Sequence, residues 1–174
     1  MAMSKSDIKD ELLIDTLRRM RLSREGHERA IPVTDRSESL QLSWAQQRLW
    51  FLEQMEDLGT TYHIPAVLRL QGELDVQALQ RTLDAIVARH EVLRTVFVQN
   101  EGEQEPVQVI RPTEGFALNQ QDLSILEAKE RDKSMHQALR QAMQLKFDLS
   151  QGPLIRGLLL KLQPEEHVLL LEMH

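Results

Sequence analysis

Two periods of apolar residues divide this chain. Between residues 7 and 25, DIKDELLIDTLRRMRLSRE, the residues Ile8, Leu12, Leu17 and Met20 recur near helical spacing with Leu13 beside them, which predicts an amphipathic helix. Its acids (Asp7, Asp10, Glu11) come first and its arginines (Arg18, Arg19, Arg21, Arg24) last, the order a helix dipole favours, and Gly26 is a suitable stop. The polar stretch HERAIPVTDRSES with Pro32 reads as a linker. Residues 1–37 are therefore expected to form a helix and linker, and residues 38–174 the main domain.

Within the main domain the period switches repeatedly. LSWAQQRLWFLEQME predicts a helix capped by Ser43, with Ala45, Leu49 and Leu52 in one stripe and Trp50 and Phe51 beside it as core aromatics. In YHIPAVLRLQGE, Ile64, Ala66, Leu68 and Leu70 alternate as in a strand, and Pro65 suits a strand start or an edge. Asp75 is placed to cap a helix whose buried face is Val76, Leu79, Leu83, Ile86 and Val87. TVFVQ and PVQVI flank NEGEQE as a hairpin. Ser124 and Glu127 have capping-box spacing ahead of a helix running to about Lys146. PLIRGLLLKL and HVLLLEM flank QPEE as a second hairpin. The order αβαβ(β)αββ predicts an α/β domain with antiparallel pairs in its sheet, an α+β two-layer sandwich.

Composition narrows the chemistry. The 174 residues are 41% hydrophobic and 28% charged, an ordinary balance for a globular domain, and the length suits about one domain of ~100–200 residues. With no cysteine, disulfides, thiolate metal sites and thiol nucleophiles are excluded, and a reducing compartment is expected. A formal charge of -6 argues against nucleic-acid binding. The chain has no run of 18 apolar residues and no signal-peptide pattern, so a cytoplasmic location without a membrane span is expected. None of the six histidines (His27, His63, His90, His136, His167, His174) pairs with another at metal-ligand spacing, and no metal site is expected. His136 reads as a solvated helix residue. Phosphate-cradling glycine loops and the G-x-S-x-G elbow are absent as well.

Two clusters hold the remaining chemical signal. RHEVLRT places Arg89, His90 and Arg94 at the end of an otherwise apolar helix. They read either as a solvated C-terminus favoured by the dipole or as fixed hydrogen bonds to a neighbouring site. SWAQQRLWFLEQ sets Gln46, Gln47 and Arg48 beside two large aromatics, and from the residues alone an amphipathic helix with Trp50 and Phe51 in the core is the favoured reading, as a solvated helix end is for RHEVLRT.

Together these segments resemble nonribosomal peptide synthetase condensation domains. Ser43, Ala45, Gln46, Arg48, Leu49, Trp50 and Leu52 match the family's first motif, SxAQxRLWxL. Arg89 to Phe97, RHEVLRTVF, is similar in full to the second, RHExLRTxF, and FDLSQGPLIR, Phe147 to Arg156, to FDLxxGPLxR. LLLEMH resembles the approach to MHHxxxDG, of which Met173 and His174 are present. The wording of the first motif resembles the subtype that joins a donor to an L-configured residue.

The resemblance implies the N-terminal lobe of a chloramphenicol-acetyltransferase-like fold, incomplete and read as an excerpt of a longer protein. It implies amide formation between aminoacyl or peptidyl thioesters carried on phosphopantetheine arms, with no cofactor bound directly by this chain. The implied partners are donor and acceptor carrier proteins and an adenylation domain of the same module. In the family the second His of the pair is credited with catalysis, and it falls one position past His174. His174, the first of the pair, is then a supporting residue, and this fragment alone is expected to be inactive. Ser43, Gln46, Arg48, Trp50, Arg89, His90 and Arg94 are implied as structural support of the catalytic loop. The helix at 7–25 reads as a docking segment or a simple linker. Two other functions stand beside this one: a non-catalytic carrier-protein interaction module, and a coenzyme-A-dependent acyltransferase of the same fold. An isolated lobe is expected to expose an apolar face, to leave its last strand an unprotected edge, and to self-associate.

Overall fold

The computed structural model describes residues 35–36, 39–55, 59–100, 102 and 105–174. The helix predicted over 7–25 lies outside them. Residues 38–174 form one compact unit. Its elements are β1 (Leu40–Gln41), α1 (Trp44–Met55), β2 (Ile64–Gln71), α2 (Val76–Arg89), a 3-10 turn (Glu91–Arg94), β3 (Thr95–Val98), β4 (Val107–Ile110), β5 (Leu118–Asp122), α3 (Ala128–Met143), β6 (Ile155–Gln163) and β7 (Glu166–Met173).

The strands form two sheets, ordered β1-β4-β3 and β2-β7-β6-β5. In the larger sheet β7 runs antiparallel to both β2 and β6, while β5 joins β6 in parallel. β6 and β7 are the apolar hairpin, closed by Pro164 and Glu165. Strand side chains alternate between faces. Leu158, Leu160, Val168 and Leu170 therefore share one face, where Met135 and Leu139 of α3 cover them. Ile155 and Leu171 point to the other, where they pack with Leu83 and Val87 of α2 and with Phe116. Gly157 lets this second layer close, because a Cβ there would stand 2.8 Å from the Phe116 ring. Gly152 takes a positive φ of 68° where a Cβ would meet Val96 at 2.9 Å, so only glycine suits this turn.

The α/β class and both hairpins are as predicted. Asp75 caps α2 by accepting a hydrogen bond from the Ala78 N–H at 2.9 Å. His136 is exposed on α3. No helix among the described residues is long and apolar enough to cross a membrane.

Several expectations are corrected. β7 is an interior strand between β2 and β6, not an edge; β2 and β5 flank the sheet. The short strands β1 and β5 were not anticipated, and β5 is parallel to its neighbour, because LNQQD carries almost no apolar signal. Ser124 does not form a capping box with Glu127. Asp122 takes both the backbone N–H and the hydroxyl of Ser124, and Glu127 caps α3 without a side-chain bond. α3 stops at Met143 rather than near Lys146. Ile86 is exposed instead of buried, and α1 has no buried residue at all, with Phe51 55% exposed. Trp44, Phe51 and Met55 of α1 and Ile86 of α2 are exposed, while Leu49, Trp50 and Leu52 of α1 are half-buried.

Candidate functional site

The register between β2 and β7 builds the site. Ile64 pairs with Met173 and Pro65 with Glu172, so the ladder brings His63 and His174 together at its end. Arg156 pairs with Glu172 on the other side of β7. By alternation His63, Arg156, Glu172 and His174 all project to the α3 face of the sheet. The chain leaving α3 adds Phe147. Its ring lies edge-on to His63 at 4.8 Å and to His174 at 6.3 Å, and the two imidazole centroids are 5.7 Å apart.

Glu172 is the central charge, 1% exposed after the apolar run 168–171 of β7. A buried carboxylate is costly unless it is paired and hydrogen-bonded. Its Oε2 accepts from Arg156 Nε at 2.9 Å and Nη2 at 2.7 Å. That leaves Oε1 to His63, whose Nδ1 is 3.2 Å away. A carboxylate has no hydrogen to give, so Nδ1 carries the hydrogen of this contact. Arg156 also lies over the Phe147 ring at 4.0 Å and donates to the carbonyls of Ala142, Leu145 and Lys146. Those carbonyls close α3, where a cation also complements the helix dipole. The same interactions end the helix before Phe147 and turn that ring toward the histidines.

His174 closes the constellation. Its backbone N–H donates to Leu154 at 3.1 Å, which holds the strand end on β6. Its side chain is 7% exposed, and Nε2 lies 3.5 Å from Glu53 of α1, outside good hydrogen-bond geometry. Burial holds this imidazole below its ordinary value; Glu53 draws it up by contact and charge, and His63 pushes it down. The result favours a neutral ring with a nitrogen still open to a partner.

The residues expected to support the site serve the elements around it. Ser43 and Gln46 make a reciprocal cap, the Gln46 N–H to Ser43 Oγ at 3.3 Å and the Ser43 N–H to Gln46 Oε1 at 2.8 Å, which starts the helix carrying Glu53. Arg48 is exposed and Trp50 half-buried on the same helix. Arg94 donates to the Arg111 carbonyl at 2.6 Å and lies 3.6 Å from Glu91, fastening the root of the β3–β4 hairpin. His90 works through its backbone, joining α2 to the 3-10 turn, and Arg89 is exposed at the end of α2. Of the predicted set, His174 is the member placed in the imidazole cluster; Glu53, His63, Phe147, Arg156 and Glu172 were not anticipated. One signal was present: a glutamate interrupting HVLLLEM demands a partner if that strand is buried.

Comparison with known proteins agrees with this architecture. Residues 36–174 match the condensation-domain family. The chain is 47% identical over 146 residues to malpibaldin synthetase of Mortierella alpina, covering 83% of this chain and 2% of that protein. It is 45% identical over 139 residues to one of the linear gramicidin synthase proteins of Brevibacillus parabrevis, covering 80% and 3%. The chain thus spans only about 2–3% of the length of these synthetases. Among solved structures, the first condensation domain of the calcium-dependent antibiotic synthetase, in complex with a substrate analogue, superimposes with a TM-score of 0.67 at 26% identity over 79% of this chain and 32% of that one. With four-fifths of its residues matched and the fold shared, the chain belongs to the condensation-domain family.

Proposed function

We propose that this chain supplies the N-terminal lobe of a nonribosomal peptide synthetase condensation domain, which joins two carrier-bound aminoacyl or peptidyl thioesters through an amide. The observation that carries the reading is His174: a buried imidazole, kept toward its neutral form, at the end of the central strand β7, where it supports the His that follows it in the family's pair. The reaction needs a neutral imidazole at that next position. An attacking α-amine with pKa near ~8 is mostly protonated at pH 7 and must shed a proton as the C–N bond forms. A neutral imidazole beside it accepts that proton or orients the amine by a hydrogen bond. The tetrahedral adduct then collapses, and the thiolate of the donor's phosphopantetheine arm leaves.

In this reading the base is the second His of the family's pair, following His174. On an extended continuation its side chain lies on the opposite face. His174 supports it from the α3 side. Ser43 and Gln46 set the helix that carries Glu53, and Arg94 sets the hairpin. Arg48, Trp50, Arg89 and His90 belong to surfaces that the remainder of the domain completes. The partners are donor and acceptor carrier proteins and the adenylation domain of the module, in the cytoplasm, and phosphopantetheine arrives as part of the substrates.

The test is direct. The full-length protein is given two carrier proteins loaded with different aminoacyl thioesters, and the acceptor is weighed by mass spectrometry. A dipeptidyl thioester supports the reading; its absence with intact, loaded carriers overturns it.

A further inference from the structure

We propose that Arg156, Glu172 and His63 form a positioning relay that holds the His174 imidazole in its supporting orientation, and with it the start of the His pair. The inference rests on the condensation reading above. It concerns residues to which the family resemblance assigns no role in the site.

Three observations carry it. First, the carboxylate divides its two oxygens between two partners. Oε2 takes both guanidinium N–H groups, at 2.9 and 2.7 Å, so only Oε1 remains to meet His63 at 3.2 Å. That division fixes which ring nitrogen of His63 carries the hydrogen and sets the plane of the ring. Second, the ring so held stands edge-to-face with Phe147 and His174, at interplanar angles of 71° and 69°. Third, the network is shielded from bulk solvent. The side chains of His63 and Glu172 are 3% and 2% exposed, and Arg156 is 18% exposed. Buried, fully connected polar groups hold geometry better than exposed ones, and a misplacement of about 1 Å at a reacting group costs on the order of a hundredfold in rate. The groups facing His174 are therefore Glu53 from α1, His63 ahead of β2, and Phe147 after α3, with Glu172 and Arg156 behind His63.

Glu172→Gln tests the relay with little change of shape. A glutamine must give its carbonyl oxygen to Arg156. Its NH2 then faces His63 Nδ1 and demands the opposite tautomer. In the full-length protein we expect kcat for amide formation to fall about tenfold or more while KM for the acceptor carrier stays within about twofold. His63→Ala should show the same split, and the double variant should be no slower than His63→Ala alone. A readout without turnover accompanies these rates: the pH midpoint of C2-hydrogen exchange at His174, followed by mass spectrometry, should move in Glu172→Gln although residue 172 does not touch that ring. Wild-type kcat in Glu172→Gln, effects of the two substitutions that simply multiply, or an unmoved His174 midpoint overturns the relay. Wild-type protein that forms no amide overturns the condensation reading instead, and the exchange midpoint still decides the relay.

Discussion

β7 and β2 are neighbours in one sheet, paired residue for residue over eight positions, and they live in different environments. Leu169 on β7 is 4% exposed; Leu68, its partner on β2, is 47% exposed. Both strands read as apolar from sequence. What separates them is cover: α3 and α2 lie over the β6–β7 hairpin on its two faces, while the outer strand extends beyond both helices. Pairing follows from pattern and register, whereas burial depends on the third layer. The same contrast governs charge. Glu166 meets Arg69 at the solvated end of this pair, and Glu172 meets Arg156 and His63 at its buried end.

The largest expected effect follows from that contrast. Arg156→Ala leaves Glu172 buried without its cation and should destabilise the domain by about 3–5 kcal/mol, whereas Arg69→Ala at the exposed pair should cost about 0–1 kcal/mol. Urea unfolding of the two variants checks the ratio, and equal losses would erase the distinction. Next comes the apolar counterpart: Leu170→Ala, beneath α3, should cost about 2–5 kcal/mol, and Leu68→Ala within about 0.5 kcal/mol. A smaller effect concerns association. On the outer strand β2, Val67 is exposed on one face and Ile64 and Leu68 on the other, which should make the chain self-associate, and Val67→Lys with Leu68→Lys should shift light scattering toward monomer.

The smallest effect is electrostatic. His174 is held below its ordinary value of 6.5, chiefly by burial. The unfolded chain therefore takes up this proton first as pH falls. The contribution to stability is intact above about 6.5 and declines as pH drops through and below that value. Glu53→Gln removes the group that draws the imidazole up, so the His174 midpoint should fall further, as histidine exchange would register. A midpoint that rises would mean Glu53 is not the facing carboxylate.

Much of the fold was legible because its signals are local. Asp75 announces α2 three residues ahead of the N–H it accepts from. The β6–β7 hairpin is two apolar runs around a short turn. β5 was not legible: it joins the sheet as a polar parallel strand whose place depends on β6, far along the chain. Ser124 misled because Asp122, two residues away, competes better for the same groups. The site divides in the same way. His174 stands out at the end of an apolar strand, but the partners of Glu172 lie 16 and 109 residues away in sequence. Nothing local links EMH to YHIP; only the β2–β7 register does.

One measurement bears most directly on the function drawn from this site: single-turnover amide formation between two loaded carrier proteins, with the full-length wild type and His174→Ala side by side. A dipeptidyl thioester is expected from the wild type, with a rate lower by about tenfold or more in the variant. No product from the wild type, or equal rates in the two proteins, would contradict that function.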